Sequence, residues 1–393
     1  MHNKNSLMKN KLLPLISVAF PGAYKLLVVL LATYFAGQTV ANEFSQAFFW
    51  VALLVTFSGI PVTALMISPS YSIRLQDKLA LTLLSSVCGF LLAYAVQLKD
   101  HSLAFNLSVL LGTLLLSGYE INKRILLNAD GFLSLVKASF VTLALFSGLF
   151  YFCYHNAQQL IILAFSAMLL PVAYLVLGHH SGVKNLHYSR FSVLAKDFAK
   201  HCFSNMTSPS LMFALPILLV NELGENSAVE LVQVFYISSL AYLFPRAIAE
   251  KNIPDMRNNG IKGTSVYFYF KIIALFVLVL AVFAGFGLAF VYGLWPLYLL
   301  LFIAMQISQL SLPFSNVLLV SGDINSILKI NLASACLLVL LAALTLFFFE
   351  PGQDRALILL LDFLIFQLVK LLLNAWLTRK YLQPGIYKPA LVK

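Results

Sequence analysis

The chain has 393 residues, of which 61% are hydrophobic and only 10% charged, and its 26 Lys and Arg against 15 Asp and Glu leave a net charge of +11. Soluble domains are about 45–50% apolar and about 25% charged, so this composition excludes a soluble enzyme and places the protein in a membrane. At about 20 apolar residues per crossing, the hydrophobic content suffices for on the order of twelve transmembrane helices.

Met1 to Lys11 is basic and runs into an apolar stretch longer than a signal-peptide core, with no small-residue cleavage site, so it reads as a retained first span. Apolar periodicity then predicts helices over 12–36, 44–68, 79–98, 103–127, 132–154, 158–178, 203–222, 229–249, 264–291, 293–320, 325–349 and 355–380. The polar segment 181–202 reads as a basic cytoplasmic loop between a six-helix lobe over 1–180 and a second over 203–393, which ends in a short cytoplasmic tail. Cys88, Cys153, Cys202 and Cys336 show no metal-like spacing and read as small buried residues.

Charge gives these helices a direction. With the N-terminus inside, twenty-three of the 26 Lys and Arg fall on the inner side, Lys99 and Arg355 fall outside, and Lys25 is left in mid-span. Cytoplasmic loops of membrane proteins carry such an excess, so the positive balance records topology and no nucleic-acid partner is expected. Both termini are expected in the cytoplasm.

The halves resemble each other. Gly37, Ala41, Glu43, Gln46 and Phe48 recur as Gly224, Ala228, Glu230, Gln233 and Phe235 at an offset of 187, and Leu126, Leu127, Ser134 and Lys137 recur as Leu318, Leu319, Ser326 and Lys329 at an offset of 192. Six spans per half is an even number, so the halves enter the membrane in the same direction. The expected fold is an all-α polytopic membrane protein of about twelve transmembrane helices in two six-helix lobes, related by a pseudo-two-fold axis along the membrane normal. Transporters of that design bind substrate between their halves and rock them for alternating access.

Charge inside a span costs about 2.5–3.5 kcal/mol at a helix centre on insertion scales. Lys25 shares a helical stripe with Ser17, Pro21, Val28 and Ala32; it either faces a central cavity that takes an anion, or snorkels or pairs with a carboxylate. Helix 4 carries Thr113, Ser117, Glu120 and Arg124 on one face, where Glu120 and Arg124 fit an i,i+4 ion pair as well as a substrate contact. Arg246 follows Pro245 near the inner end of helix 8, where anchoring competes with binding. Gln306, Gln309, Pro313 and Asn316 in helix 10, and Gln367, Lys370 and Asn374 in helix 12, suit interhelical hydrogen bonds better than sugar hydroxyls. Asp362 is an acid placed to pair with a cation or to titrate. No HExxH pair and no GxxxxGK[ST] loop occurs, so neither metal, cofactor nor enzymatic activity is expected, and the energy would come from an ion, voltage or substrate gradient.

Twelve spans in two halves, the repeated Gly-x5-Glu-x2-Gln-x-Phe link and the turn Asn128-Ala-Asp130-Gly131 between Arg124 and Lys137 resemble the multidrug/oligosaccharidyl-lipid/polysaccharide exporter superfamily, and within it the Wzx-type O-antigen and polysaccharide flippases. The resemblance implies a bacterial inner-membrane flippase. It would carry undecaprenyl-diphosphate-linked oligosaccharide from the cytoplasmic to the periplasmic leaflet, among membrane lipids and beside a polysaccharide polymerase and chain-length regulator. It also implies a cationic cavity for the diphosphate, with Lys25 as its main cation and Arg124, Arg246 and Lys271 as weaker candidates. Two alternatives stay open. A cation-coupled multidrug exporter of the same superfamily usually has an embedded acid in helix 1 or 7, where this chain has Lys25. A polysaccharide polymerase or ligase usually has a large periplasmic loop, whereas every outer loop here is short.

Overall fold

A chain this apolar has to satisfy its backbone hydrogen bonds within each segment, which selects helices. The computed structural model describes residues 2–67, 73–96, 98–129, 131–179, 191–207, 211–224, 228–291 and 293–382. Among these residues there are α-helices and no strand. In chain order they are α1 (His2–Leu31), α2 (Gln38–Val55), α3 (Gly59–Ile67), α4 (Leu75–Val96), α5 (Leu103–Asn128), α6 (Phe132–Cys153), α7 (Ala157–His179) and α8 (Phe191–Met206). They continue as α9 (Leu211–Leu223), α10 (Ala228–Ala241), α11 (Leu243–Asn259), α12 (Gly263–Val291), α13 (Trp295–Leu310), α14 (Leu312–Val320), α15 (Ile324–Phe348) and α16 (Gln353–Leu382).

The described residues of every expected span are mainly helical. The seventh takes in the end of α8 and most of α9, with 208–210 outside the described residues, and three others are each broken into two adjoining helices. The second is α2 and α3, the eighth α10 and α11, and the tenth α13 and α14. Each break is followed by a proline in the first turn of the new helix: Pro61, Pro245 and Pro313. Proline has no N–H for the carbonyl four residues back and its ring crowds it, so the ladder is interrupted and the next helix restarts. Among the described residues nine helices are long and apolar enough to cross a membrane. The expected count of twelve is not reached on that measure. The first helix has an apolar part of only Phe20–Ala36, α9 has 13 residues, and α11 is too polar to extend α10.

The chain divides into two compact units, Met1–Ala214 and Leu215–Lys393. In the first, α5 and α7 pack along each other, α2 and α6 lie against them, and α1 packs on α6. In the second, α13 and α15 flank α16, with α10 and α12 on α13 and α11 on α14. The sequence repeats have matching backbones. Gly37 and Gly224 both take a left-handed φ, +83° and +84°, which favours glycine. The turns after α5 and α14 close alike, Gly131 N–H on Leu126 O at 2.8 Å and Asp323 N–H on Leu318 O at 3.0 Å.

Two expectations need correction. The supposed loop 181–202 contains α8 from residue 191 onward, because Leu194, Phe198 and Cys202, spaced by four, form an apolar stripe that docks on Val62, Leu65, Met66, Ile73, Leu81 and Ile121. Lys196, Asp197 and Lys200 had masked that stripe by lowering the local hydropathy; residues 180–190 lie outside the described residues. None of the four cysteines is fully buried either: Cys88 and Cys336 are exposed, Cys153 is half-buried, and Cys202 is half-buried against the α3 cluster. An exposed helix surface in an apolar chain accepts a small apolar side chain as readily as a core does.

Candidate functional site

The α1 stripe is an inward face, since Ser17, Pro21, Val28 and Ala32 are all buried. Lys25, half-buried on it, holds its ammonium 5.8 Å from the centre of the Phe48 ring on α2. A cation over an aromatic face gains about 0.5–1 kcal/mol, more when desolvated. Arg124 is buried near the end of α5, one turn before Asn128, whose amide donates to Met66 O on α3 at 3.3 Å. The structure places Lys123 3.1 Å from Glu120, an i,i+3 pair that the i,i+4 reading of Glu120 with Arg124 did not contain. Asp130, part of the resemblance at this turn, lies outside the described residues.

In the second unit Arg246 and Lys271 are exposed, and the Arg246 guanidinium lies 5.6 Å from the centre of the Tyr242 ring. Asp362 is buried in α16, where the Thr345 hydroxyl of α15 donates to it at 2.6 Å. The structure thus splits the six candidates, with Lys25, Glu120 and Arg124 in one unit and Arg246, Lys271 and Asp362 in the other.

Lys370, named above in the polar stripe of helix 12, counts with the inner face in the charge sorting. It lies half-buried within α16, twelve residues before that helix ends at Leu382, or about 18 Å at 1.5 Å per residue. The signal was present in the apolar run from Leu361 to Leu373, which has only Asp362 and Gln367 besides this lysine as polar residues.

The amide stripe of helix 10 faces inward. Gln306 donates to Ser238 O at 2.9 Å, Gln309 to the Ser308 hydroxyl at 3.0 Å, and Tyr242 to Met305 O at 3.1 Å, which ties α10 to α13 at the level of their breaks. Two clefts open inside the units. One is bordered by Ser17, Tyr119, Ser139 and Thr142, the other by Asn252, Tyr269, Asn316 and Met256, and each encloses only about 10 Å³. Both are smaller than the ~300–1,000 Å³ of a typical small-molecule pocket.

Solved structures share this arrangement over nearly the whole chain. A eukaryotic MATE transporter, AtDTX14, superposes with a TM-score of 0.65 at 15% identity over 95% of both chains. The Vibrio cholerae MATE transporter VcmN, solved as a mutant, gives 0.61 at 15% identity over 96% of this chain and 98% of its own. A multidrug resistance MATE family transporter of the MOP superfamily, in an outward-facing conformation, gives 0.56 at 12% identity over 94% of both chains. The fold is that of the MATE transporters. No protein-family model matches the chain, and no curated protein matches it in sequence. The MATE likeness therefore carries architecture, and this is a multi-pass membrane protein; at 12–15% identity it assigns no role to a residue.

Proposed function

We propose that this chain is a membrane transporter that exports a small organic cargo by alternating access, driven by a cation gradient. The observation that carries this reading is the MATE fold across 94–96% of the chain. Asp362 supports it. It is the one acid buried among the described residues, and with Thr345 as donor it is placed to exchange a proton or a small cation during the cycle. The same reading sets the protein in the inner membrane with both termini in the cytoplasm, where the excess of Lys and Arg favours them.

A second reading keeps the flippase for undecaprenyl-diphosphate-linked glycans, and Lys25 and Lys370 favour it. Both are cations held within apolar helices, and contacts to a diphosphate strengthen in a low-dielectric site. Polymerase and chain-length regulator belong to that reading alone. Reconstitution separates the two. Ethidium efflux that follows an imposed proton or sodium gradient supports the exporter. Gradient-independent appearance of a lipid-linked oligosaccharide in the outer leaflet, with no ethidium efflux, supports the flippase.

A further inference from the structure

We propose that α8 is a clasp on the break in the second helix, and that its release lets α2 and α3 change their angle during transport. The second half of this statement rests on the transport reading above.

The break is a debt in backbone hydrogen bonds. From Thr56 to Ser58 the chain tightens to i→i+3 bonds, Thr56 N–H on Leu53 O, Phe57 N–H on Leu54 O and Ser58 N–H on Val55 O at 3.0–3.2 Å. Pro61 has no N–H to give to Phe57 O. Unpaired carbonyls in an apolar bundle are costly, and α8 supplies donors to two adjacent ones. The Asn205 amide donates to Thr56 O at 2.9 Å and the Cys202 thiol to Phe57 O at 3.1 Å. These donors lie three apart on α8, on one face, beside Leu194 and Phe198, which bury themselves on α3 and its neighbours.

The opposite side of the break is held differently. Ser58, in the break, and Ser117 of α5 share a hydrogen bond of 2.7 Å, and a Cβ on Gly59 would come within 2.8 Å of the Ser117 Cα. That contact is backbone against backbone and has no slack. The α8 side depends on a weak thiol donor and one amide, on a short helix whose other face exposes Phe191, Val193, Lys196 and Phe203. The grip is thus firm on one side and releasable on the other.

Cys202 is its own reporter. Burial pushes its thiol up to about 12, so the docked residue holds little thiolate, the form that reacts. In membrane vesicles carrying the full chain with Cys88, Cys153 and Cys336 replaced by Ser, maleimide should label Cys202 slowly. Asn205→Leu should speed labelling about tenfold, the factor one buried hydrogen bond supplies, and a gradient that drives efflux should speed it in the parent. Cys202→Ser, which keeps a donor, should retain ethidium efflux, and Cys202→Val combined with Asn205→Leu should lose it. Labelling of Asn205→Leu at the parent rate overturns the clasp. Labelling indifferent to a gradient that does drive efflux overturns its release in the cycle. If the parent exports nothing the transport reading falls, and the effect of Asn205→Leu on labelling still decides whether α8 holds the break.

Discussion

Asp362 and Thr345 form the hydrogen-bonded pair on which gradient coupling turns in this account. Asp362→Asn keeps an oxygen for the Thr345 hydroxyl at its present 2.6 Å and removes the charge. It should insert and fold normally while efflux under a gradient falls to the rate seen without one, as expected when an intramembrane acid that exchanges the driving ion is neutralised. Efflux at the parent rate would assign Asp362 to structure. His201 gives a pH dependence of known sign. Burial lowers its pKa to about 4, with Asp197 opposing and Lys200 adding to the shift. The undocked residue binds a proton below about 6.5 and the docked one only near 4, so docking is fully favourable above about 6.5 and weakens as pH falls through that window. Protection of the α8 amides, taken relative to their intrinsic exchange rates at each pH, should fall between pH 6.5 and 4.5, and His201→Phe should flatten the fall. Lys25 was legible as a residue that topology does not explain. Its neighbour Phe48 was not, because a ring one helix away leaves no trace in the spacing of α1. Lys370 was legible only as part of the polar stripe of helix 12, because a charge inventory that counts sides has no place for depth.

Hydropathy located each membrane helix as an element because apolar length is what a bilayer demands. It is blind to the i→i+4 ladder, so the breaks in helices 2 and 10 leave no trace in it, although Pro61 and Pro313 interrupt that ladder just as Pro245 does in helix 8. At the first break, Gly59→Ala should force α3 off α5 and cost about 1–3 kcal/mol, the usual penalty of overpacking. Gly148 in α6 has open space around a Cβ, so Gly148→Ala should be neutral or gain about 0.5–1 kcal/mol. Thermal unfolding of the two variants in one detergent checks the contrast. In the second unit the ends of α9 and α16 are fastened by Arg355, whose Nε and one terminal nitrogen donate to the two oxygens of Glu222 at 2.8 Å each. Both side chains are largely buried. Glu222→Gln leaves the guanidinium without its charge partner and should cost about 3 kcal/mol, read as a lower unfolding temperature that Arg355→Gln does not restore.

At the scale of the molecule, the repeat was readable because glycine at a left-handed φ has few substitutes, and Gly37 and Gly224 stand 187 residues apart with the same conformation. The link between the halves was not readable. α8 mixes lysines with its apolar stripe, and only docking on α3 reveals what the stripe is for. The two proposed readings pull apart here: cation-coupled export rests on a fold shared with MATE transporters, while the flippase reading rests on Lys25 and Lys370, two cations held within apolar helices. The measurement that tests the central claim most directly is ethidium efflux from proteoliposomes of the purified chain, with and without an imposed proton or sodium gradient. The account predicts efflux that requires the gradient and fails in Asp362→Asn. No efflux under either gradient, with the protein folded and inserted, would contradict it.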